Sequence, residues 1–278
     1  MENKYLYIVS NLSEQRTREI ANIINDEATI LYAIDCRTAL YLATGIAEQN
    51  LEKVIVLVDE NNTSRSAFSG MTEAFYRKLP IILVTIGSNV DYSKKINDTI
   101  NSFYSINSFE ELLLIDDMAY PAHIEVAVEN YNYEKVNCEK VQHLLQGKLI
   151  NDEYLYVGQG IKNEGYDYKC KVVNGGTVGC FDGAVANVLG ASLSGMRDKY
   201  VALITDIELL HDINTLGNIN MNDTVKIIAL CSKSCEYLGN IAATLGFNVE
   251  AVNEIDIDEN IVGTFINSAQ KGLLLVKR

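Results

Sequence analysis

Apolar residues in this chain come mainly as short continuous runs, separated by amphipathic or small-residue stretches. Tyr5 to Val9, Ala28 to Ile34, Val54 to Val58, Ile81 to Thr85 and Ala122 to Val128 form such runs in the first half. Val201 to Thr205, Val225 to Cys231 and Leu273 to Val276 do so in the second. Runs of this length without alternation predict strands buried on both faces. Between them, Thr38 to Ala47 (closing near Gly45) and Ala184 to Ser194 (with Gly190) are rich in small residues and predict buried helices. Ser66 to Arg77 and Glu259 to Gln270 predict two more, and Ser10-Asn11 is placed to cap the polar helix after the first strand. Strands alternating with helices predict an α/β fold with doubly wound parallel sheets. The grammar occurs twice, which predicts two tandem domains, 1–130 and 153–278. The polar stretch 131–152 joins them, with helical character from Val141 to Leu149. Asp59 and Asp206 fall at the same place in each copy.

In open parallel sheets, ligands bind beyond the carboxyl ends of the strands. Asp35-Cys36, Asp59 to Asn62 (including Asn61), Asp206 to Glu208 and Cys231 to Lys233 are therefore expected to face ligand space, and Gly175-Gly176 with Gly179 to offer backbone amides to an anion. The 278 residues suffice for two cores of ordinary size. A hydrophobic share of 48%, with no apolar run of membrane length and no secretory pattern, predicts a soluble cytoplasmic protein. Lys plus Arg total 23 against 37 Asp plus Glu, a net charge of -14 that disfavours nucleic acid as a partner but leaves room for a small-molecule ligand. Six scattered cysteines fit reduced thiols better than a disulfide framework.

The ordered motifs resemble those of the thiamine diphosphate-dependent enzymes, in which a pyrimidine-binding domain precedes a diphosphate-binding one. Asp35-Cys-Arg-Thr-Ala39 with Leu42-Ala-Thr-Gly45 is similar to the segment carrying that family's catalytic glutamate. Glu73-Ala-Phe-Tyr76 with Leu79-Pro-Ile-Ile82, and Pro121-Ala-His-Ile-Glu125, are similar to its next helix and strand and to its closing strand. Gly179-Cys-Phe-Asp-Gly183, and Thr205-Asp206 with Leu210-His-Asp-Ile-Asn214, resemble the diphosphate domain of the menaquinone-pathway succinyl-transferring synthase. The missing central domain resembles short oxo-acid decarboxylases. The resemblance implies a thiamine diphosphate-binding fold, a homodimer or higher homo-oligomer, and a cofactor site at Gly179, Asp182, Asp206, Glu208, Asn61 and Asn62, with Asp206 also the first metal ligand.

Three departures from that pattern bear on chemistry. Cys36 stands where the resemblance puts the glutamate; a thiol cannot replace it, and losing acid/base assistance costs about 10²- to 10⁴-fold in rate. Besides a nucleophile or metal ligand, Cys36 also reads as a small buried core residue. Lys233, 27 residues after Asp206, stands where the family has its second metal ligand. A protonated lysine cannot coordinate magnesium, but it could take the metal's place beside Asp206. Glu208 replaces a small residue against which the diphosphate packs, unless its side chain turns out to solvent. Asp206, Glu208 and Lys233 sum to -1, against +1 for an Asp with a divalent ion, and each unit pair about 4 Å apart is worth roughly 4 kcal/mol at an effective dielectric of about 20. The expectation is a thiamine diphosphate-fold protein that does not use thiamine diphosphate and magnesium in the usual way. The alternatives are an active thiamine-dependent lyase or transferase for a small 2-oxo acid, its glutamate supplied by a related partner chain, and a thiol enzyme built around Cys36. Cys180, Cys231 and Cys235 could join Cys36 in a thiol or metal cluster. His123, His143 and His211 read as structural.

Overall fold

A computed structural model describes residues 5–59, 66–87, 97–128, 135–175, 183–218, 220–232 and 235–278. The chain divides into two compact units near residue 134. The first holds β1 (Tyr7–Ser10), α1 (Glu14–Ile24), β2 (Thr29–Tyr32), α2 (Cys36–Asn50), β3 (Val54–Asp59), α3 (Ser66–Arg77), β4 (Ile81–Gly87), β5 (Ser102–Ile106), the single-turn α4 (Phe109–Leu112) and β6 (Ala122–Ala127). The second holds α5 (Glu139–Lys148), β7 (Glu153–Val157), β8 (Lys171–Asn174), α6 (Ala184–Leu193), β9 (Lys199–Thr205), α7 (Asp206–His211), β10 (Val225–Cys231), α8 (Glu236–Thr244), β11 (Asn248–Asn253), α9 (Glu259–Asn267) and β12 (Gly272–Lys277). α5 lies in the stretch that reads as a connection, and Val141 and Leu145 bury it in the second unit's core.

Each unit is built on a six-stranded sheet, ordered β2-β1-β3-β4-β6-β5 in the first and β8-β7-β9-β10-β12-β11 in the second. Every ladder is parallel. Counted within its unit, each order is 2-1-3-4-6-5, so the repeated grammar corresponds to repeated topology. β3 and β9 are both third strands; Asp59 ends β3 and Asp206 directly follows β9. The fold class is the expected one: two tandem doubly wound α/β units.

The unbroken apolar runs became the central strands because both faces of each sheet are covered. One face of the second sheet packs on α6, α7 and α8 through Val185, Val188, Leu209, Leu238 and Ala242, and the other on α5 and α9 through Val141, Val262 and Phe265. All seven residues of β10 are buried. At about 1.5–3 kcal/mol for each large aliphatic side chain, such strands anchor the unit. β5, β7, β8 and β11 have no counterpart in the sequence reading. The first and last two of these lie at sheet edges, where short, half-exposed strands carry a mixed pattern; β7 is an interior strand whose tyrosines interrupt the aliphatic run. The α1 cap also differs from expectation. Ser10 is the last residue of β1, and its hydroxyl is engaged with Thr17 Oγ1 at 2.8 Å, while Ser13 caps the helix by accepting from the Arg16 N–H.

Candidate functional site

The chain leaves β7 towards β8 and leaves β9 towards β10, on the other side of the sheet, so the connections diverge between these two adjacent strands. A crevice opens at such a switch point, and it is the usual ligand position in open parallel sheets. One wall is the turn Gly158-Gln159-Gly160 after β7, fixed by the Gly158 N–H donating to Leu203 O at 2.8 Å. The other wall is Thr205 with the first turn of α7.

Glu208 fills this crevice. Thr205 and Glu208 form a reciprocal capping box: the Glu208 N–H donates to Thr205 Oγ1 at 3.3 Å, and the Thr205 N–H donates to Glu208 Oε2 at 2.8 Å. The Thr205 hydroxyl adds a bond to Oε2 at 3.1 Å, and the Gly160 N–H reaches Oε1 at 3.3 Å. The Gln159 backbone also favours the charged form of this carboxylate. The turn is shaped around the carboxylate: a Cβ at Gly158 would overlap both of its oxygens, and one at Gly160 would come within 2.7 Å of Thr205 Cγ2. Only 1% of Glu208 is exposed. Burial pushes its carboxyl above the ordinary range, while the bonds from Thr205, Gly160 and Gln159 pull the other way. The outward, solvated position open to it in the sequence reading is not the one it takes.

The other carboxylates of this segment are also engaged with the protein. Asp206 Oδ2 accepts from the Ser232 N–H (2.9 Å) and hydroxyl (3.1 Å), tying the end of β9 to the end of β10, and Oδ1 accepts from the Ile207 N–H at 2.9 Å. Asp212, just past α7, accepts from the Ala186 N–H at 2.7 Å and from the Thr215 hydroxyl at 3.0 Å. It thereby serves the first turn of α6, whose N-cap Gly183 has no side chain to do so. Asp206, Glu208 and Asp212 thus occupy backbone donors that an anionic ligand in this region would need.

Lys233, Asn61, Asn62, Gly179, Cys180 and Asp182 lie outside the described residues. Cys36, the first residue of α2, is fully buried in the first unit's core with Val9, Ala39 and Leu40. Cys231 and Cys235 are buried in the second unit's core, and burial together with the Cys235 neighbour pushes the Cys231 thiol up, leaving it a poor nucleophile. The described cysteines carry thiols rather than disulfides. His123 in β6 contacts Thr85 Oγ1 at 3.0 Å, and burial lowers its pKa to about 3, so it is neutral at physiological pH. Among the described residues no three His, Cys, Asp or Glu side chains gather as a metal would require, and no helix is long and apolar enough to cross a membrane.

The Gly158-x-Gly160 wall was missed by sequence reasoning. Its signal was a glycine pair directly after the apolar run Tyr154 to Val157, and Thr205-x-x-Glu208 is a capping-box signature. The carboxylate's place in the turn joins residues 48 apart and has no local signal.

No protein-family profile matches the chain, and no curated protein matches it. It is similar to a solved structure from Mycobacterium smegmatis that is provisionally described as a thiamin diphosphate-dependent enzyme. The TM-score is 0.41 at 10% identity, over 98% of this chain and 96% of that one.

Proposed function

We propose that the chain is a thiamine diphosphate-fold protein, related to 2-oxo acid decarboxylases and carboligases, whose diphosphate site has been converted to structural use. It does not work through thiamine diphosphate and magnesium in the usual way. The reading rests on motif order and on repeated 2-1-3-4-6-5 topology, and one observation carries it: the Glu208 carboxylate occupies the switch-point crevice of the second unit. A diphosphate entering there would meet a buried carboxylate at contact distance, and like charges so placed disfavour one another by several kcal/mol. Asp206, the remaining ligand-type residue, is committed to Ser232 rather than held open for a cation. Among the described residues, Asp206 and Glu208 do not fit the cofactor, so no chemical step is assigned to it.

Calorimetric titration with thiamine diphosphate, with and without magnesium, tests this reading. The expected outcome is no saturable heat in either case. Metal-dependent binding in the micromolar range would overturn it. If nothing binds, the combined substitutions Glu208→Ser and Lys233→Asn are expected to restore measurable affinity. Continued absence of binding in a folded double variant counts against the positional match behind the reading.

A further inference from the structure

The first unit carries an open groove of about 550 Å³ between its edge strand β2 and the outer face of α2, lined by Tyr7, Leu31, Tyr41, Leu42, Gly45 and Ile46. Tyr41 and Leu42 are 46% and 41% exposed. β2 has no charged residue from Thr29 to Tyr32, whereas the edge strands of the second sheet carry Lys171 and Glu250. Charges are a usual guard of a sheet edge, and their absence beside an apolar groove marks a surface for covering. Gly45 is a second sign. It lies well inside the 15-residue α2, where glycine costs about 1 kcal/mol relative to alanine, and a Cβ there would meet no atom within 4 Å. No described neighbour requires the missing side chain, but a helix packed closely on this face would.

Charge and shape select a second copy of this chain as the occupant. A net charge of -14 keeps like chains apart except where a face is nearly uncharged, as this groove is. The projecting Tyr41 and Leu42 lie one turn from the notch at Gly45, so a two-fold axis at the level of Ala43 seats each copy's projecting pair over the other's glycine. That axis sets the two helices antiparallel. Arg37 and Glu48 lie three turns apart on one flank of α2, so each copy's Arg37 then meets the other's Glu48. Among the described residues Arg37 forms no ion pair. Glu48 and Glu73 share Arg77, at 2.6 and 2.8 Å, a group of net charge -1 that one further arginine neutralises. We propose that the outer face of α2 and the edge of β2 form an isologous interface between two copies of this chain, with their α2 helices antiparallel across the two-fold. The inference concerns the first unit and does not depend on how Glu208 is read.

The test is sedimentation equilibrium of the full chain over a dilution series. The wild type is expected to be a dimer. Gly45→Gln puts a good helix former into open space, so it is expected to keep the fold by circular dichroism and to weaken the dimer about tenfold or more. Arg37→Glu is expected to weaken it several-fold, and adding Glu48→Arg to that change to restore it, because the exchanged charges still oppose each other across the two-fold. A monomeric wild type overturns the proposal. So does a dimer that a folded Gly45→Gln leaves unweakened, an Arg37→Glu dimer as tight as the wild type, or a charge exchange that does not restore the loss. If Gly45→Gln does not fold, Tyr41→Ser, at a half-exposed position, takes its place with the same expected loss and the same overturning result.

Discussion

Replacing Glu208 by glutamine exchanges one acceptor oxygen for an NH2 group, which then faces a backbone N–H of Gly160 or Thr205 across a hydrogen-bond distance. A buried donor set against a donor leaves both unsatisfied, at a cost of about 1–3 kcal/mol. Denaturant unfolding should therefore find Glu208→Gln clearly less stable than wild type, although it removes a buried charge. A variant as stable as wild type would mean that the carboxylate's bonds contribute nothing net. The pH dependence has a definite sign. Burial raises the Glu208 pKa in the folded protein, so the folded state holds its proton to higher pH than the unfolded chain. The stability from this group is then fully present below the ordinary carboxylate pKa and is lost as pH rises through the raised value. The stability gap between wild type and Glu208→Gln, whose side chain does not titrate, is expected to narrow as pH rises above the ordinary carboxylate value of about 4. A gap that widens over that range would show that the N–H bonds outweigh desolvation.

Among the elements, α6 depends on a residue outside itself. It follows Gly183, whose φ of 85° places it in the left-handed region and whose missing side chain cannot cap, so Asp212 supplies the acceptor for Ala186 from 26 residues away. Asp212→Ala is expected to destabilise the second unit by about 0.5–2 kcal/mol, the usual cost of a lost cap. Amide hydrogen exchange at Val188 and Leu189 in α6 should accelerate in that variant, while Asp212→Asn, which keeps an acceptor, should exchange nearly as the wild type does. Equal acceleration in both would assign the effect to charge rather than to the cap. Local sequence could not reveal this arrangement, because the helix start and its cap belong to different elements. β10 was legible over its whole length, since seven consecutive buried residues need no partner's identity to be recognised. β11, with Asn248, Glu250 and Asn253 on an edge, gave no comparable signal because only part of such a strand is buried.

At the scale of the whole molecule, the repeat was readable from the order of its buried strands, and Asp59 and Asp206 marked equivalent points because each stands at the end of a third strand. The site was only half readable. The resemblance to the thiamine diphosphate family flagged Glu208 as a charge in an unusual place, but whether it faced in or out depended on Gly158 and Gly160, far off in sequence. Charge also acts on the molecule as a whole. An excess of 14 negative charges repels itself in any compact state, and salt shortens the range of that repulsion from about 30 Å at 0.01 M to about 10 Å at 0.1 M. The exposed ion pairs that salt weakens, such as Arg18 with Glu14 and Arg77 with Glu48, are each worth little. Screening of the net repulsion should therefore win, and the melting temperature should rise as sodium chloride is raised over that range near neutral pH. The rise should diminish towards acid pH, where protonation of surface carboxylates removes the excess charge. A melting temperature that falls with salt at neutral pH would mean instead that local pairs outweigh the global field.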